Sequence, residues 1–175
     1  DFLYVADSKL AASQTMTFID AAGGRFVTVL PRTRAETADF RAQLAAESVP
    51  WTTVLERPDP KHPQGPDFVY EGVEGAASAE GFRLLWYRSS QKRELDQQTR
   101  ADKCAQAGTG RPGPKTLYRK LDVAYMLAKI EENAGAIAAA ARADGVFPLV
   151  TNDRQLTLTT ALRAYKDQPL LERRH

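Results

Sequence analysis

Cysteine is almost missing from this chain. Cys104 stands alone among 175 residues, so no internal disulfide can form, and the sequence suits a reducing cytoplasm. Histidine is equally scarce, and His62 has no second His or Cys nearby at ligand spacing, which reads as a surface residue rather than a metal ligand. No apolar run approaches the roughly 20 residues of a membrane-spanning helix, and no basic leader segment is expected. Neither sign of charge dominates. Lys and Arg number 24 against 22 Asp and Glu, so any contact with a polyanion must come from a local basic surface. What remains is ordinary for a globular protein: 43% hydrophobic and 26% charged residues, enough for one core carrying an insertion.

The stretch Phe2–Leu10, FLYVADSKL, opens with five apolar or aromatic residues before Asp7. Such a run suits a strand buried on both faces. An acid just past the carboxyl end of that strand lies where open α/β sheets place their ligands, or else it caps the next helix. Lys9–Ala22 follows with a helical pattern, ended by Gly23-Gly24, and Arg25–Leu30 reads as a second strand. Strand, helix and strand form a βαβ unit, so the strands should be parallel. Their carboxyl ends then share an edge. That places Arg32 and Arg34 beside Asp7, as cations that could hold a polyanion or as a solvated loop.

Ala35–Ser48 reads as a helix and Trp51–Leu55 as a strand. The proline-rich stretch Arg57–Asp67 is a loop. Phe68–Val73 and Phe82–Arg88 are expected to pair as a hairpin. Ser89–Ala107 is a polar, exposed helix. Gly108–Pro114, GTGRPGP, lacks the Lys-Ser/Thr and the preceding strand of a phosphate-binding loop. From Lys103 to Leu121 only Asp102's neighbour side is basic: Lys103, Arg111, Lys115, Arg119 and Lys120 occur with no acid between them, a pattern suited to a nucleic-acid backbone or to a plain exposed loop. Asp122–Glu132 serves strand or helix. Asn133 is a natural N-cap for an alanine-rich helix ended by Gly145. Val146–Thr151 reads as a strand with Pro148 near its start or at an edge. In the final helical stretch Tyr165, Gln168 and Glu172 share a face, and Pro169 should kink that helix or start a new one. A strand-end Asp and a helix Glu can converge on one hard divalent cation, although an exposed Glu172 paired with Arg173 has the same spacing.

Four stretches, VADSKL, GGRFVTVLPRTR, DGVFPLVTND and AYKDQPLLERRH, resemble successive landmarks of bacterial insertion-sequence transposases of the DDE type, in the IS-four-like branch. The resemblance is strongest at the two ends and weakest between Trp51 and Ala107. It implies an α/β fold: a partial ribonuclease-H-like core of parallel strands with helices, interrupted by a β-rich insertion. Residues 1–34 and 146–175 would be core and 35–145 the insertion. The family's second catalytic aspartate falls on Asp7. Its helix signature, Tyr-x-x-Arg-x-x-x-Glu-x6-Lys, matches at Tyr165 and Glu172, has Gln168 in place of the arginine, and places its lysine beyond His175. The first aspartate lies on an earlier strand that this sequence does not supply, so a piece of a longer protein, inactive by itself, is expected.

By that resemblance Asp7 and Glu172 would hold two Mg²⁺ or Mn²⁺ ions. From their charge and position, Arg32, Arg34, Arg111, Lys115 and Arg119 would contact DNA, together with Tyr165 of the helix signature. The partners would be transposon ends, target DNA and a second copy in a homodimer, in the bacterial cytoplasm and away from membranes. The rival readings are a stand-alone metal nuclease of another fold, with Asp153 near Asp7, and an inactive DNA-binding remnant. Neutralising Arg111, Lys115 and Arg119 together is expected to weaken DNA binding and flatten its salt dependence, by a slope of about one per lost phosphate contact. Unchanged affinity at several salt concentrations would remove this segment from the interface.

Overall fold

Along the strand that ends at Ser89, Leu84 and Trp86 alternate with Leu85 and Tyr87, and all four are buried. Alternate residues of a strand point to opposite faces, so this strand must be covered on both sides. The computed structural model describes residues 2–60, 62–105, 118–120 and 130–172, with the side chains of 103–132 and 169–175 outside the description. It is a mixed α/β fold. In chain order the elements are β1 (Leu3–Ala6), α1 (Ser13–Ala21), β2 (Arg25–Val29), α2 (Ala35–Ala46), β3 (Thr52–Arg57), β4 (Phe68–Glu74), β5 (Arg83–Ser89) and α3 (Ser90–Ala105). They continue with β6 (Tyr118–Lys120), β7 (Ile130–Glu132), α4 (Ala134–Arg142), β8 (Val146–Thr151) and α5 (Leu158–Glu172).

Six strands form one sheet in the order β1-β2-β8-β5-β4-β3, while β6 and β7 pair separately. β1 and β2 are parallel, as the βαβ spacing predicts. All other pairings in the sheet are antiparallel. The expected hairpin is β4–β5. The stretch 35–145, expected as an insertion, therefore supplies three strands to the same sheet as β1 and β2.

The two faces carry separate cores. Met16, Phe26, Phe40, Leu44, Leu84, Trp86 and Val150 pack on the α1 and α2 side. There Phe40 stacks on Trp86 with centroids 3.9 Å apart, and Phe26 meets Phe82 edge-on at 5.2 Å. Val27, Leu85, Tyr87, Leu149, Ala161 and Leu162 form the core under α5. Each fully buried side chain of this size contributes about 1.5–3 kcal/mol. The Tyr87 hydroxyl donates to the Leu158 carbonyl at 2.8 Å, which pins the first turn of α5 to the sheet.

Three local readings need correction. α1 begins at Ser13 rather than Lys9, because Leu10 and Ala11 donate to the carbonyls of Asp7 and Ser8 in tight turns. Pro148 is the third of six residues in its strand and not at an edge, since β8 lies between β2 and β5. Its carbonyl accepts from Leu30 N–H on the β2 side. The ring nitrogen of the same residue faces that side too, where β2 has ended, so no ladder bond to β5 is lost. Finally, α5 is one helix from Leu158 to Glu172, so no new helix begins at Pro169.

Other signals hold. Asn133 caps α4 through its side-chain oxygen, which accepts from Ala136 N–H at 3.1 Å. His62 is exposed and contacts Asp59. Among the described residues no helix is long and apolar enough to cross a membrane.

Gly145 closes the turn between α4 and β8 with φ +75°, and a Cβ there would lie 2.6 Å from the Ser89 carbonyl oxygen. Its amide donates to Asp96 and its carbonyl accepts from Ser89 N–H. Gly145→Ala is expected to cost about 2–3 kcal/mol through left-handed backbone strain and the clash. Chemical denaturation checks this, and a loss below about 0.5 kcal/mol would mean the turn relaxes freely.

Candidate functional site

Because β1 and β2 run parallel, both chains leave the sheet at the same edge, and Asp7 is the first residue past β1. The buried Thr28 hydroxyl donates to the Asp7 carbonyl at 2.6 Å and lies 3.2 Å from that of Ala6. This fixes the backbone where Asp7 begins. The Asp7 side chain is exposed. Its Oδ1 accepts from Lys9 N–H at 2.9 Å, so it caps a turn and not the helix.

α5 crosses the opposite end of the chain back to this edge. It packs on β1 and β2. Tyr165 stands close enough to feel Asp7: burial raises its phenol above the ordinary value, and the Asp7 charge raises it further. Its ring lies 6.5 Å from Phe147. Glu172 is the last residue of α5, about two turns beyond Tyr165. Its side chain lies outside the described residues. Among those described, no three His, Cys, Asp or Glu side chains converge as a metal cluster. Asp153 sits elsewhere. It is buried against Arg25 at 2.9 Å, and Arg25 pairs with Leu3 at the far end of β1. The closeness to Asp7 that the other nuclease reading requires is not met.

The two arginines separate. The Arg34 guanidinium donates to Glu36 at 2.7 and 3.1 Å and to Glu80 at 2.8 and 2.9 Å. Its donors are committed to two carboxylates, so Arg34 is not left free for a phosphate, contrary to the expectation from its position. The Arg34 bond holds both acids at about 2. Arg32 is exposed and lines a cavity of about 290 Å³ at the end of β2. Arg111 and Lys115 lie outside the described residues. Arg119 is on β6, with its side chain outside them too.

The same cavity reveals cations that the sequence pattern missed. Arg41 from α2, Lys92 from α3 and Lys166 from α5 also line it. Lys92 pairs with Asp96 at 2.6 Å. Lys166 sits half-buried, 5.1 Å from the Tyr70 ring centroid and 5.4 Å from that of Phe147. Burial lowers its pKa, as does the nearby Arg57 charge. The only signal for Lys166 was its place next to Tyr165. Arg41 and Lys92 carried none, because their helices meet at this edge only in three dimensions. Arg32, Arg41 and Val146 also line a neighbouring hollow of about 520 Å³, which holds Arg100 bound to the buried Asp144.

Comparison with protein-family models, with curated proteins and with solved structures finds no match to this chain. The reading of the site therefore rests on its own geometry and chemistry.

The Arg34 cluster has a pH signature. Carboxylates held near 2 by Arg34 stabilise the fold fully above their ordinary value of about 4.3, and this contribution is lost as pH falls from there towards 2. Arg34→Met is expected to cost about 2–3 kcal/mol at pH 7 and to flatten the loss of stability between pH 4.3 and 2. Denaturation series at pH 7, 4 and 3 check both; an unchanged pH dependence would show that the cluster contributes nothing to folding.

Proposed function

We propose that this chain is part of the catalytic domain of a DDE-type transposase with a ribonuclease-H-like core, which cleaves and joins DNA strands at transposon ends. The observation that carries this reading is the packing of α5 on β1 and β2, with Tyr165 lining the cavity at the end of β2, which runs parallel to the strand that ends just before Asp7. A strand-end aspartate and a helix-borne glutamate, distant in sequence, belong to one edge in that family. Among the described residues β1 pairs in the sheet with β2 alone; in this reading its other edge takes a further strand that carries the family's first aspartate.

Asp7 fits a hard divalent cation, because it is an exposed carboxylate with one oxygen fixed by Lys9 N–H. Asp7 and Glu172 would hold the ions. Bound Mg²⁺ or Mn²⁺ would supply an activated water or 3′-hydroxyl and stabilise the leaving oxygen of a phosphodiester. Thr28 keeps the Asp7 backbone in place through two carbonyl contacts. Arg32 faces the same edge and would hold a DNA phosphate, with Arg111, Lys115 and Arg119 adding backbone contacts. Gln168 in the arginine position of the signature favours the second reading, a DNA-binding remnant without activity.

Mn²⁺ binding tests the proposal. Asp7→Asn and Glu172→Gln should each lower Mn²⁺ affinity about tenfold, read by electron paramagnetic resonance of the free ion. Affinity unchanged from the unsubstituted chain in either variant would refute a shared metal site. The chain alone should not nick DNA with Mn²⁺; nicking abolished by Asp7→Ala would show that no further acid is needed.

A further inference from the structure

The cavity at the end of β2 has a lining that the transposase reading does not use. Its floor is apolar: Leu30, Trp86, Val146, Phe147 and Pro148. Phe147 and Tyr165 are both half-buried, so each offers part of a ring surface to the cavity. The rim is cationic. Arg32, Arg41 and Lys166 have no carboxylate within ion-pairing distance among the described residues, and no carboxylate lines the cavity. Lys92 is the exception, held by Asp96.

Asp96 lies near Arg32 but is held by Lys92, so cations outnumber acids around this apolar hollow and favour an anion there. Lys166 is the most informative of them. Its ammonium rests near two ring faces rather than an acid, which stabilises the charge while leaving its N–H donors free. A bare phosphate would satisfy the rim and leave the apolar floor idle. A volume of about 290 Å³ is at the small end of ligand pockets, room for one ring system and far too little for a duplex. Thr37, Ser89 and Gln91 add hydrogen-bonding groups to the wall, suited to the polar edge of a heterocycle.

We propose that this cavity is a nucleotide subsite: it takes one nucleotide unit, its phosphate between Arg32, Arg41 and Lys166 and its base against Phe147 and the apolar floor. Because the cavity lies at the end of β2, which runs parallel to β1, the bound phosphate sits at the sheet edge that carries Asp7. A free nucleotide and the end of a nucleic-acid strand share this chemistry. The assignment stands on the cavity lining, and it leans on the transposase reading only in expecting the strand end.

Calorimetric titration of the 175-residue chain with dTMP, thymidine, inorganic phosphate and the dinucleotide pTpT tests it. The expected result is that dTMP binds at least tenfold more tightly than either thymidine or phosphate. Lys166→Met and Arg32→Gln, chosen to keep the packing of the stem and an exposed position respectively, should each weaken dTMP at least fivefold with the melting temperature preserved. Competition by pTpT at higher affinity than dTMP assigns the site to a strand end; equal affinity assigns it to a free nucleotide. Phosphate binding as tightly as dTMP, or dTMP binding that neither substitution alters, would overturn the subsite. Mn²⁺ affinity is measured on the same samples. Lost nucleotide binding with intact Mn²⁺ binding counts against the subsite alone, and the converse counts against the transposase reading alone.

Discussion

Strand β8 is the constraint from which the rest of the molecule follows. It pairs with β2 on one side and β5 on the other, and Leu149, Val150 and Thr151 are wholly buried. The Thr151 hydroxyl adds a 2.6 Å bond to the Phe26 carbonyl. A segment late in the sequence thus becomes the middle of the sheet and joins the βαβ unit to the β3–β5 meander. An interior strand leaves no backbone donor or acceptor to water, so its register is strongly held. With β8 so placed, α5 has one apolar surface available to it: the face made by Val27, Leu85, Tyr87 and Leu149.

That placement also sorts the charges. Many of the acids near the sheet are neutralised by specific partners: Glu36 and Glu80 by Arg34, Asp144 by Arg100, Asp153 by Arg25. Asp7 is exposed instead. At the same edge Arg32, Arg41 and Lys166 line one cavity, with no carboxylate in its lining. A chain of net charge +2 can therefore present a local excess of positive charge. Arg32 and Arg41 are exposed and Lys166 is half-buried, so this local field is one that salt weakens.

Much of the local structure was legible from residue order. The parallel β1–β2 pair followed from the length of the connection, the β4–β5 hairpin from two apolar runs around a small-residue turn, and the N-cap from Asn133. Pro148 misled because proline is read by the hydrogen bond it removes, and whether that bond was wanted depended on where β2 stopped. Arg34 misled in the opposite sense. Glu36 stood beside it in sequence, but Glu80 reaches it only through the turn before β5.

Residue order by itself determined, in outline, the helices, the six strands of the main sheet, the first parallel pair and the position of Asp7 at a strand's end, but not β6 and β7. Those depend on contacts between neighbours and on periodicity, which a linear pattern carries. Tertiary structure alone decided that β8 enters the centre of the sheet, that α5 comes back beside Asp7, and that cations from α2, α3 and α5 ring one apolar hollow. Those meetings join side chains far apart along the chain, and only the burial of two faces of one sheet brings them together.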